Sequence, residues 1–331
     1  MNSEMKNLLQ PTPYLACSST WTGGAVVIDG YKKAGFTLTS GSEHEPKYAV
    51  TADANNKAPD GSSIINFGRP DIGVDVTQLH GSSICAFQKR IFGITRSMLF
   101  EGGPTCDDYT DLNAIGDFGR RDGMLHQLRL IIETQPLVAV IEQSDKFLSK
   151  RHEDISKPYF EVVKRMNYRS TYKVVNAINY GSRHWRKRFI HVFLHECLEK
   201  YFTFPEPLKT PPIRVRDLVS LGIDIDHFLS GHFVDTFKTR NHFMCAVTSG
   251  SPILFEKNKV EWQPTIRELM ILCNLDPDTF IMLGSDQTKR QILGNLMSPA
   301  LSYQLGLVIR QQVLGYNTYE DGLWIPDWMK K

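Results

Sequence analysis

The segment SMLFEGGPTC, residues 97–106, joins an apolar run to a Gly-Gly-Pro turn and a cysteine. An apolar run of this length that ends in turn residues is typical of a buried strand. A cysteine just beyond such a strand lies where a turn can expose its sulfur to a ligand crevice. Taken alone, Cys106 is more often a small core residue than a nucleophile, so its neighbours in the fold decide its role.

Short apolar or β-branched runs of the same kind recur between stretches of helical period. They are YLACS (14–18), FTLTSGSE (36–43), DIGVDV (71–76), LVAVIEQ (137–143), YKVVNAI (172–178) and FIHVF (189–193). This alternation predicts an α/β protein with a doubly wound, Rossmann-like parallel sheet and helices on both of its faces. In such a fold, ligands bind beyond the carboxyl ends of the strands.

Composition and charge exclude several classes of protein. The chain has 331 residues, of which 41% are hydrophobic and 22% are charged, as in ordinary globular proteins. Its apolar runs are far shorter than the ~20 residues of a membrane span, and the start MNSEMKNLLQ lacks a secretory signal pattern. We therefore expect a soluble intracellular protein that makes no membrane contact. The formal net charge of +2 neither requires nor excludes nucleic acid.

The cysteines give no sign of a metal site. Six of them are scattered along the chain without CxxC pairs or the Cys/His spacing of a zinc site. We therefore expect reduced thiols and no bound metal. A reduced Cys106 would keep its thiol available for chemistry.

The character of the chain changes near Cys197. The following residues contain FPEPLKTPPI (204–213) and poorly periodic stretches, which indicate an inserted smaller domain. We predict a large domain over residues 1–197, a small domain over 198–262, and helices over 263–331 that return to the large domain. The spacing of Thr265 and Glu268 predicts a capping box, and apolar periodicity predicts a further helix over 299–313.

Two further segments place polar groups at predicted strand ends. Glu142 closes the apolar run LVAVIEQ, although an isolated carboxylate there is usually a loop or capping group. His184, Arg186 and Arg188 occupy alternate positions before FIHVF, and alternation on an extended chain places them on one face. A cationic run is usually a solvated edge, but this one lies within a strand-forming segment. We expect it to face a pocket.

The order of these segments resembles the C5-cytosine methyltransferases. In that family a Pro-Cys loop, a Glu-Asn-Val strand end and a Gln-x-Arg-x-Arg strand follow one another, as Thr105-Cys106, Glu142-Gln143-Ser144 and His184-x-Arg186-x-Arg188 do here. The segments TWTGGAV (20–26) and YKKAGF (31–36) are similar to the family's cofactor loop, and RQILGNLMSPAL (290–301) to its closing Gly-Asn motif. The resemblance covers nearly the whole chain in unpermuted order. It implies a Rossmann-like methyltransferase sheet with a smaller target-recognition domain.

The resemblance implies four catalytic residues and a reaction. Methyl transfer from S-adenosylmethionine to C5 of cytosine in DNA would proceed through a bond between Cys106 and C6 of a base rotated out of the duplex. Glu142 would hydrogen-bond N3 of that base. Arg188 would contact O2, and Arg186 the pocket wall or the DNA backbone.

The resemblance also implies a cofactor site for S-adenosylmethionine. Trp21 would pack on the adenosyl group, Glu43 would accept from the ribose hydroxyls, and Asp75 would lie near the adenine amine. The complete set of cofactor candidates is Trp21, Gly23, Glu43, His44, Asp75, Val76, Thr105 and Asn295. Ala25 and Val26 stand where the family has paired glycines.

The implied partner is double-stranded DNA, held in the cleft between the two domains by a monomeric enzyme. Candidate phosphate contacts are Arg165, Arg169, Lys173, Arg183, Lys187, Lys209, Arg214, Arg216, Lys238 and Arg240. An insert of about 65 residues offers few base contacts, so we expect a short recognition sequence. The family resemblance implies a prokaryotic or phage-encoded protein that works in the cytoplasm with the nucleoid.

Three alternatives stay open at this point. Members of the same family methylate transfer RNA with the same residues, and contacts to 2′-hydroxyls leave no sequence signature. A catalytically silent DNA-binding relative would retain the fold, although both Cys106 and Glu142 are present here. A nucleotide-binding oxidoreductase would share the doubly wound pattern, but the first strand is not followed by GxGxxG.

Overall fold

The computed structural model of the chain describes residues 3–106, 109, 122–230, 238–239, 241–247 and 253–329. Its largest element is a six-stranded sheet. The strands are β1 (Leu15–Thr20), β2 (Phe36–Ser42), β3 (Leu99–Gly102), β4 (Val138–Ser144), β5 (Tyr168–Asn176) and β6 (Lys187–His195). They lie in the order β2-β1-β3-β4-β6-β5.

The directions of these strands bring the predicted site residues to one edge of the sheet. Strands β1 to β4 are parallel, whereas β6 is antiparallel to both of its neighbours, β4 and β5. The sequence pattern predicted a parallel sheet and gave no sign of the reversal at β6. Because the parallel strands end at the same edge, the residues after β1, β2 and β3 converge with the end of β4.

Helices cover both faces of the sheet. The helices are α1 (Ser3–Leu8), α2 (Val26–Lys33), α3 (Pro46–Asn55), α4 (Gly81–Phe92), α5 (Gly123–Thr134), α6 (Glu153–Val163), α7 (Ile266–Leu272), α8 (Asp286–Gly294) and α9 (Pro299–Val308). A π-helical segment, Ile309–Leu314, continues α9, close to the end predicted from the sequence. The α/β class predicted from the sequence is confirmed.

Strand β4 shows why the fold needs two layers of helices. Val138 and Val140 join the apolar cluster that contains α2 and α9, whereas Ala139 and Ile141 join the cluster that contains α5. Successive side chains of a strand point to opposite faces, so a fully apolar strand must be covered on both. The run LVAVI thus predicts the doubly wound arrangement that is observed.

A second sheet and a hairpin follow the large sheet in the chain. The strands are β7 (His227–Ser230), β8 (Lys238–Thr239), β9 (Ile253–Lys257), β10 (Val260–Trp262), β11 (Tyr316–Glu320) and β12 (Leu323–Pro326). Strands β7 to β10 form one sheet in the order β10-β9-β7-β8. Its core residues Phe228 and Phe255 belong to one apolar cluster with Leu272 of α7 and Leu293 of α8. The domain boundaries 1–197, 198–262 and 263–331 stay predictions.

Two local expectations have different outcomes. The capping box is confirmed, because the Glu268 N–H donates to Thr265 Oγ1 and the Thr265 N–H donates to Glu268 Oε2. The expected strand at DIGVDV is wrong, because residues 71–76 form turns and loop. The segment instead packs as a loop against the residues that follow β2, where the Val74 N–H donates to the Glu43 carbonyl at 2.9 Å and a Cβ on Gly73 would lie 1.9 Å from the His44 carbonyl oxygen.

The described helices are mostly too short or too polar to span a membrane. Among the described residues, no single helix is both long and apolar enough to cross a membrane. One bent pair, Asp286–Gly294 with Pro299–Leu314, meets the criteria of length and composition when its two parts are taken together.

The crossing of α2 and α9 depends on Gly30, and we predict that Gly30→Ala destabilises the fold. A Cβ at this position would lie 2.1 Å from both the Pro299 carbonyl oxygen and Ser302 Oγ. Helix propensity alone would make the substitution stabilising by about 1 kcal/mol, whereas the overpacking costs about 1–3 kcal/mol. Urea unfolding decides between these signs. The exposed Ser83→Ala in α4 is the control, and a G30A protein that is more stable than wild type would contradict the packing argument.

Candidate active site

The loop between β1 and α2 has an unusual backbone. Trp21, Gly23 and Ala25 all have φ between +50° and +58°, in the left-handed region. That conformation costs an L residue on the order of 1–2 kcal/mol, and such strain clusters at functional sites. Ala25 stands where the family pattern has a glycine. The backbone at Ala25 still has the left-handed conformation that a glycine adopts readily.

Glu43, which follows β2, is held by the same loop. The Gly23 N–H donates to its Oε2 at 2.7 Å, and the Glu45 N–H donates to its Oε1 at 2.9 Å. Burial raises the pKa of the Glu43 carboxyl, and these two N–H groups oppose the rise. The backbone of Glu43 is fixed in turn by the Asn66 side chain, which accepts from its N–H and donates to its carbonyl. Glu43 is therefore a positioned acceptor.

Asp75 faces the same space from the loop after residue 73. The N–H and hydroxyl of Thr77 donate to Asp75 Oδ1 at 2.9 and 2.8 Å. These hydrogen bonds, the hydroxyl one first, lower the pKa of Asp75, so it is an anion at neutral pH. Two acidic acceptors with fixed orientations thus border the cleft.

A cavity of about 440 Å³ opens at this edge of the sheet. Its lining includes every cofactor candidate from the sequence, namely Trp21, Gly23, Glu43, His44, Asp75, Val76, Thr105 and Asn295. Cys106 and Glu142 line it as well, whereas Arg186 and Arg188 do not belong to the described lining. The fold therefore brings ten of the twelve candidates to one cavity, and the two arginines lie outside its described lining.

Cys106 lies on the loop after β3 and is half-buried. The buried Gln143 side chain donates from Nε2 to the Pro104 carbonyl oxygen at 3.0 Å, which ties this loop to the end of β4. The Gly103 backbone passes close to Glu142, since a Cβ there would lie 3.2 Å from Glu142 Oε2. The thiol-bearing loop and the glutamate are therefore packed against each other.

Strand register places Arg188 beside Glu142. In the antiparallel β4–β6 pair, Glu142 is opposite Ile190 and Ser144 is opposite Arg188. Diagonal neighbours on one face of a sheet can reach each other with long side chains. Arg188 Nε forms an ion pair with Glu142 Oε1, and both side chains are largely buried. The pair holds the carboxylate at the wall of the cavity.

Arg186 connects three parts of the chain. Its Nη1 donates to the Val247 carbonyl at 3.1 Å and its Nη2 to the Gly294 carbonyl at 2.9 Å. Burial, followed by repulsion from Arg188, lowers the pKa of Arg186 to about 10, so it stays charged. Its guanidinium also interacts electrostatically with Cys106, and a nearby cation stabilises a thiolate.

His184 is fully buried beside the two arginines. Burial, and then the charges of Arg186 and Arg188, lower its pKa to about 3, so its ring is neutral at neutral pH. Its backbone forms an isolated parallel β-bridge with Met244. The alternation predicted from the sequence is visible in burial, because His184 and Arg186 are buried whereas Trp185 between them is exposed.

A pair of aromatic rings, each with a cation over it, lies next to His184 and Arg186. Trp185, 45% exposed, stacks on Phe243 with 6.3 Å between ring centroids. Lys187 Nζ lies 5.9 Å from the Trp185 ring and Arg214 Cζ lies 4.9 Å from the Phe243 ring. We call these four residues the aromatic-basic cluster. Aromatic faces combined with cations are typical of surfaces that bind nucleic acid.

Three of the other phosphate candidates are either bonded within the protein or outside the described residues. Arg183 donates to the Ile271 carbonyl at 2.6 Å, so its guanidinium is partly engaged within the protein. The side chain of Lys238 and the whole of Arg240 lie outside the described residues. Within the described part of the chain, no group of three or more His, Cys, Asp or Glu side chains could hold a metal ion.

Glu101 was missed by the sequence reasoning. It is the third residue of β3, only 3% exposed, and it lines the same cavity as Cys106. Burial and the neighbouring Glu142 raise its pKa to about 8, although a hydrogen bond from Ser19 opposes the rise. A signal was available, because a glutamate inside an apolar run is rare unless it is partnered.

The comparisons with known proteins identify the family. The model of the C-5 cytosine-specific DNA methylases matches residues 32–263, more than half of the chain. The chain therefore belongs to the C-5 cytosine-specific DNA methylase family. This confirms the resemblance drawn from the sequence.

Curated relatives are similar at low identity. The Type II methyltransferase M1.HphI of Haemophilus parahaemolyticus is 24% identical over 88% of this chain and 84% of its own length. The Type II methyltransferase M.NgoPII of Neisseria gonorrhoeae is 24% identical over 59% of this chain. That alignment covers 53% of M.NgoPII, so the chain matches about half of that relative's length.

Solved structures share the fold. A protein described as a DNA modification methyltransferase encoded within an E. coli prophage has a TM-score of 0.68 and 17% identity, covering 90% of this chain and 99% of that one. The Dnmt2 methyltransferase of S. pombe has a TM-score of 0.64 and 14% identity, covering 90% and 98%. The likeness at these identities supports the architecture described above.

The buried His184 predicts acid sensitivity of the fold. The unfolded chain binds a proton on this histidine below about pH 6.5, whereas the folded chain binds it only near pH 3. Its contribution to stability is therefore present above pH 6.5 and is lost as the pH falls towards 3. His184→Gln removes the titrating ring. Between about pH 7 and pH 5 we expect wild type to lose on the order of 2 kcal/mol more stability than the variant.

Urea unfolding of both proteins at the two pH values measures this difference. His191, whose pKa burial also lowers to about 3, is present in both proteins and cancels in the comparison. Equal losses of stability would show that His184 is not buried in its neutral form.

Proposed function

We propose that this protein transfers a methyl group from S-adenosylmethionine to C5 of cytosine in DNA at a short recognition sequence. One observation carries the proposal. Cys106 and Glu142 line the same 440 Å³ cavity as the eight cofactor candidates, and Arg188 is paired with that glutamate. A thiol, an acid and a ligand cleft at the carboxyl edge of a doubly wound sheet fit methyl transfer to a pyrimidine.

The residues of the cavity suit S-adenosylmethionine. Its adenosyl group needs an aromatic surface and acceptors for its hydroxyl and amine hydrogens, and the lining offers Trp21, Glu43 and Asp75. The ionised Asp75 and the backbone-held Glu43 are such acceptors. When bound, the cofactor supplies an electrophilic methyl group on a sulfonium. We propose Gly23, His44, Val76, Thr105 and Asn295 as the remaining contacts.

Cys106 would act as the nucleophile. Cytosine C5 is a poor nucleophile until a thiolate adds to C6, which makes C5 electron-rich. Cys106 Sγ would bond to C6, C5 would accept the methyl group that the cofactor supplies, and loss of the C5 proton to a solvent base would break the bond from Sγ to C6 and release Cys106 as a thiolate. The charge of Arg186 near this thiol favours the thiolate that starts the sequence.

Glu142 and Arg188 would hold the base. Glu142 stands at the cavity wall, and in its carboxylic acid form it would donate a hydrogen bond to N3 as negative charge develops on the ring. Arg188, which orients this carboxylate, presents planar N–H donors suited to a carbonyl such as O2. Arg186, engaged with two backbone carbonyls, would shape the pocket and hold its walls together.

DNA is the proposed partner, and the base must leave the duplex to reach the cavity. The aromatic-basic cluster supports a nucleic-acid contact because two of its members, Trp185 and Lys187, lie on the segment between His184 and Arg188. Such a protein would act on the chromosome or a phage genome in the cytoplasm, and as a monomer. Transfer of methyl groups to transfer RNA, with none to DNA, would favour the RNA alternative.

A duplex that contains 5-fluorocytosine tests the chemistry. The C5 fluorine cannot leave as a proton does, so we expect wild type to form a denaturant-stable adduct that needs S-adenosylmethionine. Cys106→Ser should form none. Cys85→Ser, which removes a half-buried thiol outside the cavity lining, is the matched control and should form as much adduct as wild type. Lack of adduct with wild type that binds the cofactor refutes the covalent mechanism.

Trp185→Ala tests the DNA contact. Stacking on an exposed aromatic contributes about 1–3 kcal/mol, so we expect DNA affinity to fall about tenfold or more, with a smaller change in kcat than in KM. Tyr319→Ala is the control, since Tyr319 is 55% exposed and lies in the β11–β12 hairpin, which contains none of the candidate phosphate contacts. Gel-shift titration measures both. Equal affinities for the two variants would exclude the aromatic-basic cluster from the interface.

A further inference from the structure

Glu101 is a carboxyl in the cavity wall to which the proposed reaction gives no role. It lies in β3, five residues before Cys106, and it is almost fully buried. Glu142, also a cavity residue, has a cationic partner in Arg188. Of these two buried carboxyls, Glu101 is therefore the one that has no cationic partner among the described groups that interact with it.

Glu101 lines the cavity, and the contacts of its two oxygens differ. Ser19 Oγ donates to Glu101 Oε2 at 2.8 Å, and this is the only hydrogen bond that the Glu101 carboxyl makes with the described residues. A Cβ on Gly103 would lie 4.0 Å from Glu101 Oε1 and 3.2 Å from Glu142 Oε2. The two carboxyls therefore border the same point of the cavity wall, next to the loop that bears the thiol.

The groups around Glu101 do not neutralise it. The ionisable groups that interact with it are Cys17 from β1, Tyr31 from α2 and Glu142 from β4. Among these described groups there is no cation, and Cys17 and Tyr31 are themselves held neutral, because burial raises the pKa of each. Burial and Glu142 raise the pKa of Glu101 to about 8, so it is mostly protonated at neutral pH.

A buried acid of this kind is a receptor for a cation. Ionising it in the empty cavity is unfavourable because no positive charge compensates the lost solvation. A ligand that brings a positive charge within contact distance reverses the balance and favours the carboxylate. The methionine part of S-adenosylmethionine carries two such charges, an ammonium and a sulfonium.

We propose that Glu101 is the counter-ion for the positively charged methionine part of the cofactor, and that it ionises as the cofactor binds. This inference rests on the proposed function. The proton leaves the Glu101 carboxyl for the buffer, and the carboxylate then pairs with the ligand cation. Ser19, which donates to the other oxygen, orients the carboxylate in both states.

Proton linkage gives this proposal a clear signature. At about pH 7 wild type should release close to one proton per S-adenosylmethionine bound. Its affinity should rise nearly tenfold between about pH 6 and pH 7, where the ligand's own amine is already charged. Glu101→Gln keeps the shape and the contact with Ser19 but cannot ionise. It should release no proton, show little rise in affinity over this range, and bind at least several-fold more weakly.

Isothermal titration in buffers of different ionisation enthalpy counts the protons. Methylthioadenosine, which has the adenosine part but no charge, is the control ligand and should bind wild type and E101Q alike without proton release. S-adenosylhomocysteine keeps the ammonium and lacks the sulfonium, so proton release with it assigns the ammonium, and release with S-adenosylmethionine alone assigns the sulfonium. Thermal melting confirms that E101Q is folded.

The outcomes separate this inference from the proposed function. Equal proton counts for wild type and E101Q with S-adenosylmethionine would overturn the role of Glu101 while leaving the cofactor site in place. If neither S-adenosylmethionine nor methylthioadenosine binds the folded wild type, the proposed function fails and the role of Glu101 fails with it.

Discussion

The ion pair between Glu142 and Arg188 depends on the register of two antiparallel strands, and the candidate site depends on that pair. A shift of one residue between β4 and β6 would turn one of the two side chains to the other face of the sheet. Removing one partner of a buried pair leaves an uncompensated charge, at a cost of about 3–5 kcal/mol. Arg186, the residue just before β6, donates to the carbonyls of Val247 and Gly294, which joins the start of this strand to the segment between β8 and β9 and to the end of α8.

Four of the carboxyls that line the cleft have different partners and therefore different charge states or roles. Backbone N–H groups hold Glu43, a threonine keeps Asp75 ionised, and an arginine pairs with Glu142. Glu101 has a serine and no cation among the described groups, so it stays protonated near neutral pH. Similar side chains can therefore serve as acceptors, base-holding groups and a cation receptor within one cavity of about 440 Å³.

The features that follow from local pattern could be predicted from the sequence. Apolar runs and strand-end residues predicted the doubly wound sheet and placed Cys106 and Glu142 at one edge, because parallel strands end together. Strand direction at β6, the loop at residues 71–76 and the role of Glu101 depend on contacts between distant segments, such as Gly73 with His44. Ala25 shows the same limit, since a left-handed backbone is expected of glycine and is imposed here by the surrounding loop.

Sequencing of methylated bases in DNA from a methylation-free host tests the function most directly. With the wild-type gene expressed, 5-methylcytosine should occur at one recurring site of fewer than about six defined bases. The Cys106→Ser gene should leave the same DNA unmethylated. Absence of 5-methylcytosine from the wild-type culture, with folded protein present, would contradict cytosine methylation of DNA by this cleft.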